Sequence, residues 1–82
     1  MVKVSFSNKF EKILSKIKDS SIKERIIKQI SKIKEYPEIG KPMKYERKDT
    51  REVYVSPFRL AYAYLINENK VIILDLYHKD EQ

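Results

Sequence analysis

The spacing of apolar residues along the chain changes period, and each change marks an element. Val2, Val4 and Phe6 alternate with Lys3 and Ser5, the pattern of a half-buried strand. Ser7-Asn8 supplies helix-capping chemistry, and Phe10, Ile13, Leu14 and Ile17 then recur at helical spacing. Asp19-Ser20-Ser21 interrupts this first helix. Ser21 with Glu24 predicts a capping box for a second helix, which sets Ile22, Ile26, Ile27, Ile30 and Ile33 on one side and Lys23, Lys28, Lys32 and Lys34 around the rest. A short polar connection predicts that the two helices form an antiparallel hairpin. Tyr36-Pro37 and Gly40-Lys41-Pro42 end helical structure, because Pro disfavours the α region for the residue before it and Gly lets the chain turn.

Beyond that point β-branched and aromatic residues dominate. Residues 51–56, 58–66 and 71–77 read as strands of high β propensity, broken by Ser56-Pro57 and by the hairpin loop Asn67-Glu68-Asn69-Lys70. Residues 43–47 form a candidate short strand that pairs back through Lys48-Asp49-Thr50. The expected fold is α+β: an N-terminal strand, a two-helix antiparallel hairpin, then three to four antiparallel strands with the helices packed on one sheet face, all in a single domain over residues 1–82. The other face stays open for binding or reaction. Alternation turns Val53, Val55, Leu60, Tyr62, Tyr64 and Ile66 to the helices and leaves Glu52, Tyr54, Arg59, Ala61 and Ala63 on the open side. It does not decide the last strand, where Ile72, Leu74 and Leu76 share parity with His78 while Val71, Ile73, Asp75 and Tyr77 form the other set. A bulge or twist there lets His78 reach either face.

Composition narrows the function classes. The chain has 82 residues, 37% of them charged and 41% hydrophobic, so its core is thin and a large enclosed substrate cavity is disfavoured. With no Cys and a single His, it has no disulfides, no thiolate chemistry and no multi-His metal cluster; neither a metal nor another cofactor is expected. No apolar run approaches the roughly 20 residues needed to span a bilayer, and the start lacks the apolar centre of a signal peptide. The expected location is the cytoplasm, with no membrane partner. A net charge of +6 favours polyanionic partners. Ten basic and five acidic residues lie in positions 1–40, six and three in 41–59, and two and four in 60–82, so the basic excess stops at Arg59.

Few side chains are candidates for chemistry. Arg59 on a rigid strand can bind a phosphate bidentately and offset charge in phosphoryl transfer; its ordinary alternative is an ion pair with Glu46, Glu52 or Asp75. His78 is a candidate general acid, a role histidine takes because the intrinsic pKa of imidazole lies near neutrality, or is simply solvated. Glu46 and Glu52 are candidate general bases. Tyr54 and Tyr77 are the aromatics best placed by pattern to stack on exposed bases.

The stretches Gly40-Lys41-Pro42-Met43-Lys44, Arg51-Glu52-Val53-Tyr54-Val55, Ser56-Pro57-Phe58-Arg59-Leu60-Ala61-Tyr62 and Leu74-Asp75-Leu76-Tyr77-His78-Lys79, in that order, resemble the RelE/ParE family of type II toxin–antitoxin systems, and most closely its RelE/YoeB-type mRNA interferases. The resemblance covers essentially the whole chain. It implies a metal-independent endoribonuclease that cuts mRNA in the ribosomal A site through 2′-hydroxyl attack. A cognate antitoxin, the ribosome and mRNA are the implied partners, and the free protein is expected to be monomeric. Arg59 matches the Arg of the family's Tyr-Arg-Leu-Val-Tyr-like segment, which stabilises the transition state. The lysines that RelE carries on the preceding strand are replaced here by Glu52 and Tyr54. Tyr77-His78 resembles the carboxy-terminal Tyr-His-Tyr of YoeB-type members with Lys79 in place of the last Tyr, which implies His78 as the acid. Met43 stands near the position of their catalytic Glu, so Glu46 or Glu52 takes the role of base. Lys44, Arg47, Lys48, Arg51, Tyr54, Tyr77 and Lys79 are the expected RNA contacts. Two alternatives share the resemblance: a ParE-type DNA gyrase poison, and a relative that only binds antitoxin or RNA.

Overall fold

A computed structural model describes residues 1–43 and 49–78. The chain runs through β1 (Lys3–Phe6), α1 (Asn8–Lys16), α2 (Ser20–Glu35), β2 (Lys41–Pro42), β3 (Thr50–Val55), β4 (Phe58–Leu65) and β5 (Lys70–His78), with a 3-10 turn at Ile66–Glu68 before β5. Among the described residues these strands form one sheet in the order β1-β5-β4-β3-β2. Strands β2 to β5 are antiparallel neighbours, as their short connections dictate, while β1 lies parallel to β5. The sheet is therefore mixed: the helical segment carries the chain across one face, so β1 and β5 run in the same direction at the far edge.

Helix α1 lies on β5 and α2 on β3, and both bury their apolar stripes against the same face. Phe10 from α1 and Ile26 and Ile33 from α2 meet Val55, Leu60, Tyr62, Val71, Ile73 and Leu76 in one core. Removing side chains of this size from water is worth about 1.5–3 kcal/mol each, which is what holds so charged a chain together.

Local chemistry sets the element ends. The Ser7 hydroxyl caps α1 by accepting from the Phe10 N–H at 3.0 Å, and it also donates to the Leu74 carbonyl at 2.7 Å. Helix α2 starts earlier than the Ser21–Glu24 spacing suggests. Its cap is Asp19, whose carboxylate accepts from Ser21 N at 2.9 Å and Ile22 N at 3.4 Å and takes the Ser21 hydroxyl at 2.8 Å. An ionised carboxylate outcompetes a hydroxyl for these N–H groups, and the same bonds lower its pKa. The loop before β5 closes on Asn69, which adopts the left-handed conformation at φ 51° and, like Asn generally, tolerates it.

The turn after α2 is fastened from the sheet. The buried Tyr62 hydroxyl donates to the Pro37 carbonyl at 2.7 Å and accepts from Gly40 N at 2.8 Å. Arg51 Nη1 donates to the carbonyls of Gly40 at 2.8 Å and Glu38 at 3.1 Å. Strand β2 follows at once, with Lys41 opposite Glu52 and Pro42 opposite Arg51. This pairing begins two residues before the predicted 43–47 strand, most of which lies outside the described residues.

The register of β4 on β5 breaks once. Ala61 faces Asp75 but Tyr62 faces Ile73, so Leu74 is an extra residue on β5. Ser7 holds this bulge, its N–H donating to Ile73 O at 2.9 Å and its hydroxyl to Leu74 O. The bulge settles the parity that alternation left open. Val71 and Ile73 before it and Leu76 after it are all buried toward the helices, and Asp75 and Tyr77 fall on the open face.

Candidate active site on the open sheet face

Strand pairing lays Tyr54, Arg59 and Tyr77 side by side across β3, β4 and β5. The adjacent row on the same face is Lys41, Glu52, Ala61 and Asp75. Directly opposed residues share a face, and diagonal neighbours on one face come within reach of long side chains. The small Ala61 side chain lets Arg59 and Glu52 meet diagonally above the sheet. Arg59 Nη1 donates to Glu52 Oε1 at 2.6 Å. The Tyr77 hydroxyl donates to Glu52 Oε2 at 2.7 Å, so one carboxylate bridges two strands' donors.

The cluster is partly open to water, with the Arg59 side chain 30% and the Glu52 side chain 16% exposed. Among the described residues the guanidinium makes no other hydrogen bond, and its Nε is buried without an acceptor. Tyr54 stands beside Arg59 with an exposed ring, its hydroxyl 3.4 Å from Ser56 Oγ. An Arg, a carboxylate and two phenol rings on a rigid open sheet can hold a phosphate, accept a proton and stack against a base.

Other residues picked out by sequence stand elsewhere. His78 pairs with Phe58 on the helix-facing side of β5, its ring edge-on to that of Phe58 at 5.8 Å, and so points away from the row containing Arg59. Arg51 shares the helix-facing parity of Val53 and is engaged in fastening the turn after α2. Asp75, one of the carboxylates weighed as a partner for Arg59, is instead tied to Lys9 Nζ at 3.1 Å and to the Leu76 N–H at 2.8 Å. Glu46, Lys44, Arg47, Lys48 and Lys79 lie outside the described residues. Lys41 is the residue that sequence reasoning missed. Its place directly opposite Glu52 puts an exposed cation at the rim of the site, and the only signal in the sequence is its position in Gly40-Lys41-Pro42.

The profile of the ParE toxin of the type II toxin–antitoxin system parDE matches residues 4–82. The chain belongs to the RelE/ParE toxin family. It is thus a toxin of a type II toxin–antitoxin system, in the family that its sequence motifs resemble. Solved structures agree on the fold of this toxin. The isolated E. coli RelE toxin superposes with a TM-score of 0.83 at 18% identity, covering 100% of this chain and 88% of RelE. The toxin–antitoxin complex RelBE2 from Mycobacterium tuberculosis gives 0.81 at 22% identity over 95% and 98% of the two chains. The YoeB/ParE toxin from Agrobacterium tumefaciens gives 0.81 at 14% identity over 94% and 98%. No curated protein sequence matches this toxin significantly.

Proposed function

We propose that this toxin is a ribosome-dependent, metal-independent endoribonuclease that cleaves mRNA in the A site. The observation that carries the reading is the meeting of Glu52, Arg59 and Tyr77 on the open sheet face. Glu52 accepts the proton of a ribose 2′-hydroxyl, the resulting oxygen attacks the adjacent phosphorus, and the bond to the 5′ oxygen breaks. Arg59 offsets the charge that grows on the phosphoryl oxygens. Lys41 at the rim adds a second cation, and the exposed ring of Tyr54 offers a face for a base. His78, directed toward Phe58, is left out of the chemistry, and the leaving oxygen takes its proton from water at the exposed side of the site.

The implied partners are the ribosome, its mRNA and a cognate antitoxin; similar folds occur in RelBE toxin–antitoxin complexes from E. coli and M. tuberculosis. The test is a cell-free translation reaction in which new mRNA 5′ ends are read by primer extension. Wild-type protein should produce ends at A-site codons. Arg59→Ala should reduce cleavage by about 10²–10³-fold, the usual loss when a transition-state donor is removed, while His78→Ala stays within about tenfold of wild type. Full cleavage by Arg59→Ala would refute the assignment. A second reading is favoured by the matching profile being that of ParE: the toxin would bind DNA gyrase instead. Inhibited supercoiling with intact mRNA in a running translation reaction would establish it.

A further inference from the structure

We propose that Glu52 is a built-in occupant of the phosphate site, holding in the free toxin the same donors, Arg59 Nη1 and Tyr77 Oη, that a phosphodiester takes when RNA arrives. The proposal rests on the reading of this cluster as a phosphodiester site and adds that substrate and Glu52 compete for it.

The geometry points that way. Each Glu52 oxygen meets one donor, at 2.6 Å from Arg59 and 2.7 Å from Tyr77. A phosphodiester also presents a pair of anionic oxygens from one centre, and guanidinium groups bind carboxylate and phosphate through the same planar fork. Glu52 uses only one nitrogen of that fork. Among the described residues, Arg59 Nε is buried with no acceptor, so the guanidinium keeps donor capacity that the carboxylate does not satisfy. An anion that draws the guanidinium around can give Nε the partner it lacks.

The pair is also within reach of solvent. With side chains 30% and 16% exposed it can be approached by an anion from the open face, which can replace the Glu52 bond to Arg59 with another charge-assisted one. No other described carboxylate is positioned to take over: Asp75, in the same row as Glu52, is committed to Lys9 and to the Leu76 N–H. Displacement also has a chemical consequence. A Glu52 oxygen released from Arg59 lies beside the phosphate that displaced it, where the 2′-hydroxyl proton must go, so arrival of the substrate itself frees the base.

Competition of this kind weakens apparent affinity by the fraction of molecules in which the site is open. The test is a titration of the full chain, labelled with ¹⁵N, against a 2′-O-methyl RNA trinucleotide, which cannot attack its own phosphate. The Arg59 Nε–H resonance reports occupancy of the site and the titration gives Kd. Glu52→Gln keeps the shape but not the charge and should bind roughly three- to tenfold more tightly than wild type, as the closed state is relieved. Glu52→Asp keeps the charge but is one methylene too short for the diagonal reach and should also bind more tightly. Glu11→Gln on α1 removes the same charge from an exposed helix and should leave Kd unchanged. If the Arg59 resonance moves but neither Glu52 variant gains affinity, self-occupancy is wrong and the site stands. If the resonance moves in none of the proteins, the site and the proposal both fail.

Discussion

Gly40 is where a single hydrogen atom in place of a side chain decides the local structure. A Cβ there would lie 2.5 Å from the Tyr62 hydroxyl oxygen and 2.7 Å from its ring, a ring that is itself completely buried. The glycine is needed for this close approach, since its φ is not positive. Gly40→Ala should therefore destabilise the protein by about 1–3 kcal/mol, the usual cost of overpacking, read as a lower urea midpoint with an unchanged slope. Tyr62 links the same turn to pH. Burial raises its pKa, so the neutral phenol is favoured in the folded state. That contribution is complete below the ordinary tyrosine value of about 10 and is lost as pH rises through the folded value. Wild type should lose stability above about pH 10 more steeply than Tyr62→Phe does. Tyr62 was legible from alternation as helix-facing, but its two hydrogen bonds to the turn were not, because they join residues 22 and 25 positions apart.

At the scale of elements, Ser7 links the start of α1 to the bulge in β5. Capping chemistry at Ser7-Asn8 was visible in the sequence; the bond of Ser7 to Leu74 O was not, because it spans 67 positions. Ser7→Ala should cost about 0.5–2 kcal/mol from the lost cap alone, and the Leu74 carbonyl loses its partner as well. Hydrogen exchange should then show faster exchange along residues 73–77 as well as at the start of α1, whereas a loss confined to the helix would mean that Ser7 does not hold the bulge. The two strands of the β3–β4 hairpin and the break at Ser56-Pro57 were readable, and alternation put Glu52 and Arg59 on one face; the two-residue connection and the register it fixes came from the structure. The last strand was not readable, because an extra residue at Leu74 reverses parity beyond it. That single insertion brings Tyr77 to Glu52 and turns His78 to Phe58.

At the scale of the molecule, the described residues place a set of exposed lysines away from the candidate chemistry. Lys12, Lys16, Lys28, Lys32 and Lys34 lie on the helices that cover one sheet face, and the cluster of Glu52, Arg59 and Tyr77 lies on the other with Lys41 at its rim. Cations that touch a nucleic-acid backbone release counterions and make affinity fall with salt. On the proposed function, replacing Lys28, Lys32 and Lys34 by Gln should flatten the salt dependence of ribosome binding by about one unit of log–log slope for each phosphate that is no longer neutralised. It should leave the rate of cleavage within the bound complex intact, whereas Arg59→Ala should do the reverse. Sedimentation at several salt concentrations, combined with single-turnover cleavage, separates the two.

The family was legible as a resemblance of whole motifs. Patterns confined to neighbouring residues were determined by the sequence itself: the helical stripes, an interruption between the two helices, the strands on either side of Ser56-Pro57, and the shared open face of Glu52 and Arg59. These follow from local periodicity and turn chemistry, where the controlling interactions lie within a few positions. Only the tertiary structure decided the parallel pairing of β1 with β5, the choice of Asp19 over Ser21 as a cap, the duty of Arg51 at the turn, the approach of Lys41 and the exchange of His78 for Tyr77. Each depends on groups competing for the same donor or the same space across the fold, and that competition has no period along the chain.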